Sequence, residues 1–154
     1  MYYSYMKKQS PSRGTPSKTA AGDAVMFSLL RAAHAVEERL EKALEKVKLS
    51  GPKFAALNEL VRGGEPLTLS ELAGRLTCVR SNITQLVDRL EAEGLVRRVE
   101  DSADRRSVRA ALTPAGRERQ ASGARQVKEV QGEFARTIGG PGRAALERAL
   151  ALLR

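Results

Sequence analysis

LTLSELAGRLTCVRSNITQLVDRLEAEGLVRRVEDSADRRSVRAALTP, from Leu67 to Pro114, is the stretch that decides how this chain folds. It opens on Thr68-Leu-Ser-Glu71, the pattern of a capping box, in which a threonine caps a helix and a glutamate reaches back to its amide. That predicts a short helix through Leu69, Leu72, Ala73 and Leu76. Thr77-Cys78-Val79 reads as a turn. A second helix is predicted from about Arg80 to Glu93, because Ile83, Leu86, Val87 and Leu90 recur in steps of three and four. Two helices joined by so short a turn form a helix-turn-helix. Gly94 stops the second helix. Leu95–Glu100 reads as a strand, Asp101–Arg106 as a polar turn, and Ser107–Leu112 as the returning strand. The hairpin stands beside the second helix as a wing. Thr113-Pro114 then caps and opens another helix.

Working outward, residues 23–49 predict one long helix, with Asp23 as its cap. Leu29, Leu30, Ala33, Val36, Leu40, Leu44 and Val47 make one apolar stripe along it, and Glu38 with Lys42 and Glu45 with Lys48 are favourable pairs on the other side. Such a stripe needs cover, from a partner subunit or from the chain's own domain. Gly51-Pro52 opens the next helix, with Gly51 as cap and Phe54, Leu57, Leu60 and Val61 as buried face, and Gly63-Gly64 ends it. Beyond Pro114 a helix runs to about Arg136. Ile138-Gly-Gly-Pro-Gly142 breaks it, and Arg143–Leu153 forms a last amphipathic helix. Residues 1–22 carry basic residues, Gly, Ser, Pro and Tyr2, Tyr3 and Tyr5, but no acids, and read as a disordered basic arm.

The charge balance points to a polyanionic partner. The 154 residues hold 27 Lys and Arg against 18 Asp and Glu, a net charge of +9, and cations on phosphates release condensed counterions. One cysteine, Cys78, and one histidine, His34, build neither a zinc site nor an internal disulfide. The expected compartment is therefore the cytoplasm. No apolar run approaches the roughly 20 residues that span a bilayer, so no membrane partner is expected. No phosphate loop, paired-carboxylate pocket or nucleophile-base-acid set is legible, so neither an enzyme nor a cofactor is expected.

With the apolar face of the second helix inward, Ser81, Gln85 and Asp88 point outward and Asn82 and Thr84 flank them. A helix fits the major groove of duplex DNA, where Asn and Gln pair bidentately with adenine and Ser or Thr reaches base edges or phosphates. Arg80, at the helix start, lies near the backbone or a guanine. The competing reading is a merely solvated polar face. Seven arginines against four acids lie between Leu95 and Gln120. An arginine at a hairpin tip can enter a narrow minor groove, whereas a surface ion-pair cluster would contribute little.

The stretch Leu67–Arg117 resembles the MarR family of bacterial regulators. Leu67-Thr-Leu-Ser-Glu-Leu-Ala73, Gln85-Leu-Val-Asp-Arg-Leu-Glu91, Glu93-Gly-Leu-Val96, Asp101-Ser-Ala-Asp-Arg-Arg106 and Leu112-Thr-Pro-Ala-Gly-Arg117 carry the resemblance, in the right order and spacing. It implies a mainly α fold with a small β-hairpin wing: a winged helix-turn-helix over 51–113, flanked by dimerisation helices over 23–50 and 114–154. It further implies a homodimer that binds a pseudo-palindromic duplex operator as a repressor. Arg106 would enter the minor groove, Arg105 and Arg98 would serve the wing's DNA contact, and Asp104 would brace the hairpin. Related sequences often place a Ser where this chain has Val79, which leaves the register of residues 80–82 open by one position.

The family's effectors are small aromatic or phenolic molecules, held between the dimerisation helices and the winged helix. Phe27, Arg31, His34, Lys53 and Phe54 fall near that junction, with ordinary core or surface roles as the alternative. Cys78 is either a redox trigger or a small buried residue under the turn. Two further readings stay open: a winged-helix module that works through protein contacts, and a redox-sensing regulator acting through Cys78.

Overall fold

The computed structural model describes residues 18–76, 83–100 and 108–153, with side chains from Ala24 onward. Two compact units divide the chain, Met1–Val36 and Glu37–Arg154.

The first helix, α1 (Lys18–Glu45), begins earlier and ends earlier than the predicted 23–49. Asp23 lies inside it and is not its cap, and residues 18–22 of the predicted arm are helical. The C-terminal end is set by Lys48, whose φ of 56° is left-handed. The amide of Lys48 donates to the Glu45 carbonyl and that of Leu49 to the Leu44 carbonyl, which turns the chain and buries Leu49. The expected Glu45–Lys48 helical pair is therefore absent, since Lys48 lies past the helix.

Helix α2 (Gly51–Gly63) takes Ser50 as its N-cap residue, not Gly51. The capping oxygen comes from α1: the Gly51 amide donates to Glu41 Oε1 at 2.9 Å. Gly64 closes the helix with φ 73°, a left-handed conformation in which only glycine avoids a Cβ penalty.

β1 (Leu67–Thr68) was not anticipated. It pairs antiparallel with β3 (Val108–Leu112), Leu67 opposite Ala110 and Thr68 opposite Arg109, and β3 pairs with β2 (Val96–Glu100). The sheet order is β1-β3-β2, so the predicted two-stranded wing is part of a three-stranded sheet. A strand of two residues leaves no alternation to read in sequence.

Between β1 and β2 lie α3 (Leu69–Arg75) and α4 (Ile83–Ala92). The capping box of α3 is complete: the Glu71 amide donates to Thr68 Oγ1 at 3.1 Å, and the Thr68 amide to Glu71 Oε2 at 2.7 Å. Leu57 of α2, Leu72 of α3, Val87 and Leu90 of α4, Leu95, and Val96 of β2 are the largest fully buried side chains. The core thus lies where the helix-turn-helix meets α2 and the sheet. It is aliphatic, as a chain with 4% aromatics requires.

Helix α5 (Pro114–Ala151) is capped by Thr113, whose Oγ1 accepts from the Gly116 amide at 2.9 Å and donates to the carbonyls of Gly94 and Leu95. Its one break is Gly139, with φ 67° and ψ 171°, inside the predicted 138–142 interruption. Pro141, which cannot donate to the ladder, follows it. Close approach rather than φ explains two other glycines of α5. A Cβ at Gly116 would overlap the Leu95 carbonyl oxygen, and one at Gly123 would lie 2.7 Å from the Phe54 ring.

Candidate nucleic-acid interface

On α4 the periodicity sets the exposed face. Leu86, Val87 and Leu90 are buried and Ile83 half-buried, so Thr84, Gln85 and Asp88 face solvent. Thr84 and Gln85 stand on consecutive positions of this exposed face. Arg80, Ser81 and Asn82 lie outside the described residues. So do Cys78 and the hairpin tip with Asp104, Arg105 and Arg106.

Arg98 is held differently from what the sequence suggested. Its guanidinium forms ion pairs with Asp88 and Glu91, and its own amide donates to Glu91 Oε1 at 2.9 Å. One residue of β2 thereby grips α4 at two points a helical turn apart. These bonds push the guanidinium pKa upward, the Asp88 hydrogen bond most of all. They also hold the Glu91 carboxyl below its ordinary range, first through the Arg98 amide. The Arg98 guanidinium is thus taken up by two carboxylates of α4 and ties β2 to that helix. Its neighbour Arg97 alternates to the exposed side of β2 and makes no ion pair among the described residues. The signal in the sequence was the i, i+3 spacing of Asp88 and Glu91, which places two carboxylates on one side of the helix.

Two further contacts secure the scaffold. Arg109 of β3 donates to the Pro66 carbonyl at 3.0 Å and meets Glu71 Oε2 at 3.5 Å, joining the sheet to the capping box. The Glu71 carboxyl is held low, first by the Thr68 amide. Lys53 of α2 pairs with Glu93, just past the end of α4.

The residues expected to hold an effector fall in both units. In the first, Phe27 and His34 are exposed, and Arg31 donates to Ser28 Oγ at 3.5 Å. In the second, Lys53 is taken up by Glu93, and Phe54 packs against the core beside Gly123. Among the described residues, no helix is long and apolar enough to cross a membrane, and no cluster of His, Cys, Asp and Glu could hold a metal ion.

Comparison with known proteins agrees with this architecture. Residues 49–108 match the MarR family. The HTH-type transcriptional regulator YsmB of Bacillus subtilis (strain 168) is 36% identical over 89 residues, 58% of this chain and 60% of that protein. The HTH-type transcriptional regulator PecS of Dickeya dadantii (strain 3937) is 36% identical over 94 residues, 60% of this chain and 57% of that protein. The chain thus spans about three fifths of the length of these curated relatives. The crystal structure of the transcriptional regulator BldR from Sulfolobus solfataricus superposes with a TM-score of 0.66 at 29% identity, covering 89% of this chain and 97% of that one. The matched residues run from just before α2 through α3, α4 and β2 to the first residue of β3, and over them the chain is similar to the MarR family.

Proposed function

We propose that this protein is a homodimeric transcription regulator that binds a pseudo-palindromic duplex DNA site, as a repressor. The observation that carries the reading is α4. It presents Thr84 and Gln85 to solvent while Arg98 locks it to a basic hairpin. In this reading Arg80, Ser81, Asn82, Thr84 and Gln85 meet the major groove. Arg105 meets phosphate, Arg106 enters the minor groove, and Asp104 braces the hairpin. Arg98 is a positioning residue, and exposed Arg97 takes its place as a phosphate contact.

A dimer accounts for the apolar side chains left exposed in each unit. Val25, Met26 and Leu30 are 69, 49 and 57% exposed in the first, and Leu152 and Leu153 are 88 and 70% exposed in the second. A contiguous apolar patch marks an interaction site, and a partner subunit would cover these side chains. A small aromatic carboxylate is the effector the reading favours. By drawing Lys53 away from Glu93 it would loosen the end of α4 from α2, with Phe54 next to Lys53 in sequence; Phe27, Arg31 and His34 stay as candidate contacts from the first unit.

The test is selection of bound duplexes from a random pool, followed by titration of the selected site with salt. Binding should fall steeply and log-linearly with salt concentration, since each neutralised phosphate releases counterions. Arg106→Ala should weaken it by about tenfold or more, about 1.4 kcal/mol, with Tm and dimer unchanged. A pool that yields no enriched sequence would favour the protein-contact reading instead.

A further inference from the structure

Helices α1 and α5 face each other across a cavity of about 170 Å³ that none of the residues from α2 to β3 lines. Each helix contributes one stripe at i, i+3, i+4 and i+7. On α1 the stripe is Arg39, Lys42 and Ala43, continued by Lys46 one residue past the helix; on α5 it is Gln126, Glu129, Val130 and Glu133. The α1 wall is cationic and the α5 wall anionic, with Ala43 and Val130 as the apolar positions. Ala43 is buried at the floor of that stripe. No ion pair crosses the cavity among the described residues. Gln126 lines it as well, although its Oε1 is turned away from solvent.

We propose that this cavity binds a small aliphatic zwitterion, its carboxylate toward Arg39, Lys42 and Lys46 and its ammonium toward Glu129 and Glu133. A singly charged ligand would satisfy one wall and leave its charge unmatched at the other. A molecule carrying both charges on a short hydrocarbon chain meets both walls and rests on Ala43 and Val130. The volume suits such a molecule, since a cavity of about 150 Å³ accommodates benzene. This site is separate from the aromatic effector region around Lys53 and Phe54, and it does not rest on the DNA-binding reading.

The isomers 5-aminopentanoate and 2-aminopentanoate carry the two charges far apart and close together. Pentanoate and pentylamine each carry one. Isothermal calorimetry on the full chain without DNA should show saturable binding of at least one isomer, one per chain, and weaker binding of both single-charge compounds. At saturating concentration the bound isomer should raise Tm by about 2–4 °C. Lys42→Gln and Glu129→Gln should each weaken binding about tenfold or more. Ala43→Leu should fill the cavity and abolish binding without lowering Tm; should it fail to fold, the two charge variants still decide. Binding of neither isomer, or equal binding to wild type and both charge variants, overturns the proposal. So does a cavity filled by a second copy of the chain, seen as a dimer affinity that Lys42→Gln and Glu129→Gln weaken while neither isomer binds.

Discussion

Arg98 and Glu91 are joined twice, once through the Arg98 backbone amide at 2.9 Å and once through its guanidinium, so β2 and α4 are tied together at one point. Asp88, one turn earlier on α4, completes the grip. Arg98→Gln should lower Tm modestly, because these groups are largely solvent-screened. It should weaken operator binding more than its Tm change explains. The slope of log affinity against log salt should stay that of wild type, since no phosphate contact is removed. Arg97→Gln should do the reverse, reducing that slope by about one and leaving Tm unchanged. A reduced slope in Arg98→Gln would return Arg98 to the DNA surface.

Acid stability should depend on Glu91 and Glu71. Both carboxyls are held below their ordinary value of 4.5, by the backbone amides of Arg98 and Thr68 respectively. A depressed folded-state pKa contributes stability that is present above the unfolded value and lost as pH falls through the folded one. Wild-type Tm should therefore drop between about pH 5 and pH 3. The Glu71→Gln, Glu91→Gln double variant should start lower at neutral pH and drop less over the same window. Parallel Tm curves for the two proteins would count against this account.

Gly116→Ala should be more damaging than Gly123→Ala. The first Cβ meets the backbone carbonyl of Leu95, which is held in place by bonds from the Thr113 amide and hydroxyl. The second meets side chains of Phe54 and Leu49, which can shift by a few tenths of an ångström. Overpacking of this kind costs about 1–3 kcal/mol, with Gly116→Ala at or above the upper end. Urea unfolding of the two variants measures the order.

Leu90→Ala removes a fully buried side chain from the inward face of α4 and should cost about 2–5 kcal/mol. Gln85→Ala, one face away, should leave stability unchanged. It should change the preferred base at one operator position more than it changes affinity for random DNA. Equal losses on both DNAs would mean that Gln85 is not a base reader.

How much of this was legible in the sequence depends on how local each feature is. The capping box at Thr68 and Glu71, the inward stripe Leu86-Val87-Leu90, the Thr113-Pro114 start and the Gly64 and Gly94 stops all depend on neighbours within about one helical turn. Spacing alone therefore determined them, and with them the winged helix. Decisions made by distant residues were out of reach. The pairing of Leu67 with Ala110 made a third strand from two residues, which no alternation could announce. Glu41 reached across ten positions to cap Gly51, where the sequence suggested a glycine cap. The left-handed Lys48 ended α1 four residues before the apolar stripe suggested. Arg98, one of several arginines in a basic hairpin, became a brace only because folding set it beside Asp88 and Glu91. An arginine's partner is fixed by geometry that the chain acquires on folding, so the sequence named the wing and the tertiary structure decided that Arg98 would brace it.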